Sequence, residues 1–251
     1  MKFVIGFFMA WGNFITLPCP YKRWDGALKN MMLAFLPSVG AVIGLLWMAI
    51  YWVVWQLSLP PLIASLVMIF YLFAVCGFMH LDGFMDCNDA ILSRRPLEER
   101  QRILKDSTVG AFAGVTLAFL LIAWFAAMST AVFSLDYGAL LLLPVVSRAV
   151  AGLHVLTCAP IGHSQYAKDY EAPDRWKYRA AVAAQLAVFA CAALLLSTDP
   201  VKTLVMAAVT AAAAFRACLY ARRQLGGMSG DIAGYTICIS ELAGILVLAV
   251  W

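Results

Sequence analysis

The feature that most constrains this chain is a series of long apolar stretches. A helix needs about 20 mostly apolar residues to cross the hydrocarbon core of a bilayer, and stretches near that length recur at residues 33–56, 61–79, 110–134, 138–158, 179–197, 202–220 and 232–251. Of the 251 residues, 64% are hydrophobic and 13% are charged, whereas about a quarter of a soluble domain is charged. The sequence therefore predicts an all-α, polytopic membrane bundle of about seven helices, folded as one domain over residues 1–251.

The distribution of basic residues predicts which side of the membrane each loop occupies. Fifteen of the 18 Lys and Arg residues lie between residues 2 and 29 or in and beside the longer loops, which are 80–109, 159–178 and 221–231. Cytoplasmic loops carry such an excess, so these loops are predicted to face the cytoplasm and Trp251 to lie outside. Residues 1–20 lack a small-x-small cleavage site and are predicted to remain as an interfacial or re-entrant segment.

Three acidic residues are spaced so that they share one face of a helix. Between His80 and Asp89, the carboxylates of Asp82, Asp86 and Asp89 are four and three residues apart, which is the spacing of neighbours on a helix. Like charges so placed repel each other, and a divalent cation would relieve the repulsion. Because no Cys or His cluster accompanies them, they favour a hard ion such as Mg²⁺, completed by substrate phosphates. The alternative is a solvated helix balanced by nearby arginines.

Other polar residues in or near the apolar stretches are further candidates. His80 is either a hydrogen-bonded interface histidine or a catalytic or substrate-contacting group, since it titrates near neutrality. Lys105 would approach the carboxylates and a substrate diphosphate if its loop folds back. Arg148 lies within an apolar stretch, where an isolated cation is costly and normally has a partner or faces a cavity. Glu241 raises the same question.

A glycine-rich turn precedes the last apolar stretch. Successive backbone N–H groups in the run from Gly226 to Asp231 would suit an anion, and a plain connecting turn is the alternative. The segment from Pro96 to Lys105 has acidic residues early and basic residues late, which is the order that a helix dipole favours. It is therefore predicted to be a surface helix.

These residues form a pattern that runs along nearly the whole chain. Its parts are Phe14-Ile15-Thr16 with Leu17-Pro18, His80-Leu-Asp-Gly-x-x-Asp-x-x-Asp89, Lys105-Asp106-Ser107 with Gly110, Ser147-Arg148, and Gly226-Gly-x-x-Gly-Asp231 with Glu241. The pattern resembles the cobalamin synthase family, the adenosylcobinamide-GDP ribazoletransferases. Three positions depart from it, because Thr16 meets Leu17 without an intervening Arg, Ala90 replaces a Gly, and Cys238 replaces an acid. A second carboxylate group on the last span is therefore expected to be incomplete.

The resemblance implies a reaction and a set of site residues. The reaction is Mg²⁺-dependent transfer of α-ribazole, or its 5′-phosphate, onto adenosylcobinamide-GDP with release of GMP. The implied catalytic residues are His80, Asp82, Asp86 and Asp89, of which the three aspartates hold the metal. The implied substrate-binding residues are Asn13, Lys105, Asp106, Ser107, Arg148, Gly227, Gly230, Asp231 and Glu241. The basic loops further predict that the site faces the cytoplasm from the cytoplasmic (inner) membrane. The expected partners are the two substrates and the lipid bilayer, without nucleic acid, and a homo-oligomer is left open.

Two other functions compete with this interpretation. The run Asp86-x-x-Asp89-Ala90-x-x-Ser93-Arg94 resembles the start of the motif of the CDP-alcohol phosphotransferases of lipid synthesis, but the Gly and the two spaced acids that follow in that family are absent, since Ile103 and Asp106 stand there. An ion-coupled secondary transporter would carry acids at mid-span and repeated halves. Here the acids cluster at one interface and no duplication is visible.

Overall fold

The computed structural model describes residues 1–162 and 174–251, which form eleven α-helices and one short 3₁₀ turn. The helices are α1 (Lys2–Phe14), α2 (Lys29–Ala34), α3 (Leu36–Gln56), α4 (Pro61–Ala74), α5 (Met79–Leu92), α6 (Leu97–Ile103), α7 (Ala111–Ala131), α8 (Tyr137–Thr157), α9 (Arg175–Leu196), α10 (Pro200–Leu225) and α11 (Gly230–Val250). Most of the predicted loop at 159–178 lies outside the described residues.

Six of these helices are long and apolar enough to cross a membrane, namely α3, α7, α8, α9, α10 and α11. Helices α4 and α5 together pass the same test but are bent by 81° where they meet. The described chain therefore has six spans, or seven if the bent pair counts as one. This confirms the predicted polytopic membrane bundle. The second predicted span, 61–79, is helical only as far as Ala74.

The break between α4 and α5 has a local backbone cause. Gly77 and Phe78 both have a φ of 60°, in the left-handed region that ends a helix. The N-terminal segment hydrogen-bonds to the chain at this break. Thr16 donates its backbone N–H to the Val75 carbonyl at 2.8 Å and its hydroxyl to the same oxygen at 3.2 Å. The carbonyls freed by the break thus find partners, and residues near 16 are tied to the start of α5.

Helix α8 forms the centre of the bundle. It packs against α3, α9, α10 and α11, and most of its residues are buried. A helix that is apolar on nearly every face is suited to such a position. Any polar residue of α8 is therefore held in the interior of the protein, and Arg148 is one of them.

The predicted N-terminal segment and the predicted surface segment are both helical. Helix α1 has 13 residues, fewer than a span requires, and it packs against α2 and α3. Helix α6 confirms the predicted surface helix, and Gln101 donates from Nε2 to the Leu225 carbonyl at the end of α10 at 2.8 Å. Helix α6 is therefore tied to the end of α10, and α1 packs on the bundle without the length of a span.

Candidate active site

The carboxylate helix α5 lies in close contact with the beginning of α11. A Cβ atom at Gly83 would lie 2.8 Å from Asp231 Cα, a distance that real Cβ contacts do not reach. One turn earlier, the His80 carbonyl accepts a hydrogen bond from Cys238 Sγ at 3.2 Å. The small residue at 83 thus allows the backbones of α5 and α11 to meet, and this contact brings His80 and Asp82 beside Gly230 and Asp231.

The three aspartates of α5 line one cavity, as their spacing predicts. This cavity, here called the carboxylate cavity, has a volume of about 280 Å³. Its other polar lining residues are Lys105, Asp106 and Ser107. The loop before α7 therefore folds back over α5, and Lys105 lies near the carboxylates as predicted. Thr108 donates its backbone N–H and its hydroxyl to Asp106, and these hydrogen bonds lower the pKa of Asp106.

Asp89 differs from the other two aspartates in its contacts. Its two carboxylate oxygens accept the backbone N–H groups of Gly110 at 2.6 Å and Ala113 at 2.9 Å. Asp89 thus caps the first turn of α7 from a neighbouring helix, which favours a negative charge at this end. Asp82 and Asp86 accept no hydrogen bond from the described residues, so their oxygens remain available to a ligand.

The donor set suits a magnesium ion that substrate completes. Among the described residues, no three His, Cys, Asp or Glu side chains converge as a ready-made metal centre. Mg²⁺, however, usually takes only one or two carboxylates and fills its other positions with water and substrate phosphates. Asp82 and Asp86 offer such oxygens in one cavity. The residues therefore fit Mg²⁺ bound together with a diphosphate.

A second cavity, here called the arginine cavity, lies on the other side of Asp82. It has a volume of about 260 Å³. Its polar lining residues are Asn13, His80, Asp82, Arg148, Gly230 and Asp231. Asp82 borders both cavities and therefore lies between the cavity lined by Lys105 and the cavity lined by Arg148. Most of the residues that the family resemblance implies are thus brought together.

Arg148 has partners as well as a cavity to face. It donates from Nη1 to Glu241 and to Ser147 Oγ, the latter at 3.0 Å, and from Nη2 to Cys76 Sγ at 3.5 Å. Ser147 also donates to Glu241 at 2.8 Å. Glu241 is 2% exposed and lies behind Arg148, outside the lining of both cavities. It holds the guanidinium and would act on a substrate only through it.

The glycine-rich turn is divided between two roles. Gly227 packs against the backbone of Pro160 and Ile161, where Met228 exchanges hydrogen bonds with Ala159 and Ile161 at 2.8 and 3.0 Å. Ser229 caps α11 by accepting the Ile232 N–H at 3.3 Å. Gly230 and Asp231 line the arginine cavity. The first half is thus a connecting turn, and only the second half reaches the site.

Sequence reasoning missed a third and larger cavity beside α1. It has a volume of about 680 Å³ and is here called the N-terminal cleft. It is lined by Phe8, Met9, residues 12–19, residues 21–24 and Cys76. In the sequence, Lys22 and Arg23 served only to predict topology, and Cys76 was not a candidate. The pairing of two cations with Tyr21 and Trp24 was the available signal.

Comparison with known proteins identifies similar chains. The sequence model of the family described as cobalamin-5-phosphate synthase matches residues 6–249. A Clostridium perfringens protein named adenosylcobinamide-GDP ribazoletransferase is 33% identical over 244 residues, which cover 96% of each chain. Proteins of the same name from Clostridium botulinum and Geobacillus kaustophilus are each 31% identical, over 96% and 92% of this chain and 95% and 90% of their own. No solved structure matches.

Proposed function

The chain belongs to the cobalamin-5-phosphate synthase family, and we propose on that basis that it transfers α-ribazole, or its 5′-phosphate, onto adenosylcobinamide-GDP with release of GMP. A hydroxyl oxygen of the ribose attacks the phosphorus that carries the cobinamide. The new P–O bond forms as the bond to the GMP phosphate breaks. The proton of the hydroxyl passes to a base, and the GMP phosphate leaves with the electron pair of the broken bond.

One observation carries the proposal, which is that Asp82 borders both the carboxylate cavity and the arginine cavity. Phosphoryl transfer depends almost entirely on positioning and on charge stabilisation. Lys105 on one side and Arg148 on the other supply positive charge around a diphosphate bound between the two cavities. Because Arg148 is buried with its own counter-ion, its guanidinium is fixed in place before substrate binds.

Magnesium is the cofactor that we propose for this site. The ion would be held on the face formed by Asp82, Asp86 and Asp89, with the free oxygens of the first two as its ligands and Asp89 fixing the helix against α7. When bound, it neutralises charge on the diphosphate and on the leaving phosphate. His80, which lines the arginine cavity, or a carboxylate that the metal leaves free takes the hydroxyl proton.

The proposed site lies on the cytoplasmic side of the cytoplasmic membrane. Its acidic lining residues and Lys105 come from α5, from the loop that precedes α7 and from the start of α11. These segments lie within or next to the loops that carry most of the basic residues, and such loops are retained in the cytoplasm.

Purified protein in lipid nanodiscs tests the proposal. Incubation with adenosylcobinamide-GDP, α-ribazole and MgCl₂ should release GMP, and excess EDTA should stop the release. CDP-diacylglycerol with an alcohol acceptor is the control for the competing enzyme class. Release of CMP in that control, with no GMP from the corrinoid, would assign the protein to lipid synthesis.

A further inference from the structure

Hydrogen bonds fix the walls of the N-terminal cleft. The Trp11 indole donates to the Leu17 carbonyl at 3.3 Å, and Cys19 Sγ donates to the Phe8 carbonyl at 3.5 Å. The segment after α1 is further fixed by the hydrogen bonds of Thr16 to the α4–α5 break. The cleft of about 680 Å³ therefore has walls from α1, from the following segment and from the break.

The walls of the cleft combine exposed aromatic rings with exposed cations. Tyr21 is 39% exposed and Trp24 is 61% exposed. Between them, Lys22 and Arg23 are exposed and form no ion pair with the described residues. Aromatic faces stack on heterocyclic bases, and an Arg guanidinium binds phosphate through two parallel hydrogen bonds. The combination suits a base joined to a phosphorylated ribose.

The cleft adjoins the proposed active site. Asn13 and Phe14 line both the N-terminal cleft and the arginine cavity. Cys76 lines the cleft and accepts a hydrogen bond from Arg148. A ligand in the cleft can therefore reach past Asn13 to the guanidinium of Arg148 and to Asp82.

We propose that the N-terminal cleft binds the guanosine monophosphate part of the activated corrinoid, an assignment that rests on the proposed function. The base of α-ribazole has no exocyclic hydrogen-bonding group, so even the 5′-phosphate, whose charge would suit Lys22 and Arg23, offers the Asn13 amide little to bind. A guanine nucleotide carries both phosphate charge and a polar base edge. The Asn13 amide, which both donates and accepts hydrogen bonds, faces that edge, while Trp24 stacks on the ring.

Membrane anchoring is the rival role for the same residues, because Trp, Tyr and basic side chains also gather at the bilayer interface. The start of α9 offers a matched control. Trp176 is 59% exposed, and Lys177 and Arg179 are exposed beside it. Substitution there removes an equivalent aromatic ring and charge from a helix start that does not line the cleft.

Steady-state kinetics of the full chain in nanodiscs test the proposal with Trp24→Ala and with Lys22→Ala/Arg23→Ala. Each should raise the KM for adenosylcobinamide-GDP about tenfold, which corresponds to the loss of one stacked base or phosphate contact. The KM for α-ribazole should stay within about twofold, as for an ordinary surface substitution. Trp24→Phe should restore most of the loss. Trp176→Ala and Lys177→Ala/Arg179→Ala should match the wild type.

Three kinetic outcomes would overturn the assignment. They are a raised KM for α-ribazole instead, no change in either KM, and equal losses in the cleft variants and the α9 controls. Equilibrium binding of radiolabelled GMP separates this proposal from the proposed function. If the wild type makes no GMP but binds it saturably and Trp24→Ala does not, the reaction is wrong and the cleft assignment stands. Equal GMP binding by both proteins would reject the cleft.

Discussion

At the scale of single residues, the three aspartates of α5 are not equivalent. Their spacing predicted that they share a face, and they do line one cavity. What the spacing did not predict is that both oxygens of Asp89 accept N–H groups at the start of α7. That contact joins residues 21 and 24 positions apart in the chain, and helical periodicity carries no information about it.

We therefore expect substitutions of the three aspartates to fall into two classes. Asp82→Asn and Asp86→Asn should lower kcat by about 10²-fold or more, as loss of a charge-stabilising group does, and should raise the Mg²⁺ concentration needed, with little change in Tm. Asp89→Asn should also lose about 1 kcal/mol of stability, because it weakens the cap of α7. Turnover and thermal unfolding measure the two effects. Asp174→Asn, at an exposed ion pair, is the control, and identical Tm values for all variants would contradict the distinction.

Arg148 requires a paired substitution, because removing it alone leaves Glu241 buried without its counter-ion. Breaking a buried pair in this way costs about 3–5 kcal/mol, so Arg148→Met should fold poorly. Arg148→Met/Glu241→Gln should recover stability but not turnover, if the guanidinium contacts the substrate phosphates. Thermal unfolding and GMP release give the two readouts. Recovery of activity in the double variant would reduce Arg148 to a structural residue.

At the scale of helices, the packing of α5 against α11 positions the site. We expect Gly83→Ala to be destabilising by about 1–3 kcal/mol, as overpacking is, and to lower turnover, because its Cβ would be driven into the Asp231 backbone. Gly114→Ala in α7 is the control, since nothing lies within 4 Å of the added Cβ. Thermal unfolding and GMP release compare the two variants. Wild-type behaviour of Gly83→Ala would show that the two helices do not meet so closely.

The helices also show which limits of the spans can be predicted from apolar patterns. The spans after residue 110 begin and end within a few residues of their predicted limits, because a run of apolar residues bounded by charge determines them directly. The stretch at 61–79 was predicted as one unbroken span. Helix α4 instead ends at Ala74, just before Gly77 and Phe78 adopt positive φ values and Val75 accepts a hydrogen bond from Thr16, far along the chain. The N-terminal cleft depends on the same long-range contact and was missed for the same reason.

At the scale of the whole molecule, the number of spans fixes the side on which the chain ends. If the bent pair α4–α5 crosses the membrane, α11 is the seventh span and Trp251 lies outside. A reporter enzyme that works only outside the cytoplasm should then be active when fused after Trp251. A reporter that works only in the cytoplasm should be active when inserted between Arg95 and Pro96. A cytoplasmic C-terminus would mean that α4 and α5 form a re-entrant pair, and the count would be six.

The central claim is that the chain joins two substrates through one phosphate, and product analysis tests it most directly. The wild-type protein in nanodiscs, given adenosylcobinamide-GDP, α-ribazole and Mg²⁺, should form GMP and adenosylcobalamin in equal amounts, identified by mass spectrometry. Omission of either α-ribazole or Mg²⁺ should abolish both products. Asp82→Asn should form both products far more slowly than the wild type does. Release of GMP without α-ribazole, or formation of no cobalamin with both substrates present, would contradict the account.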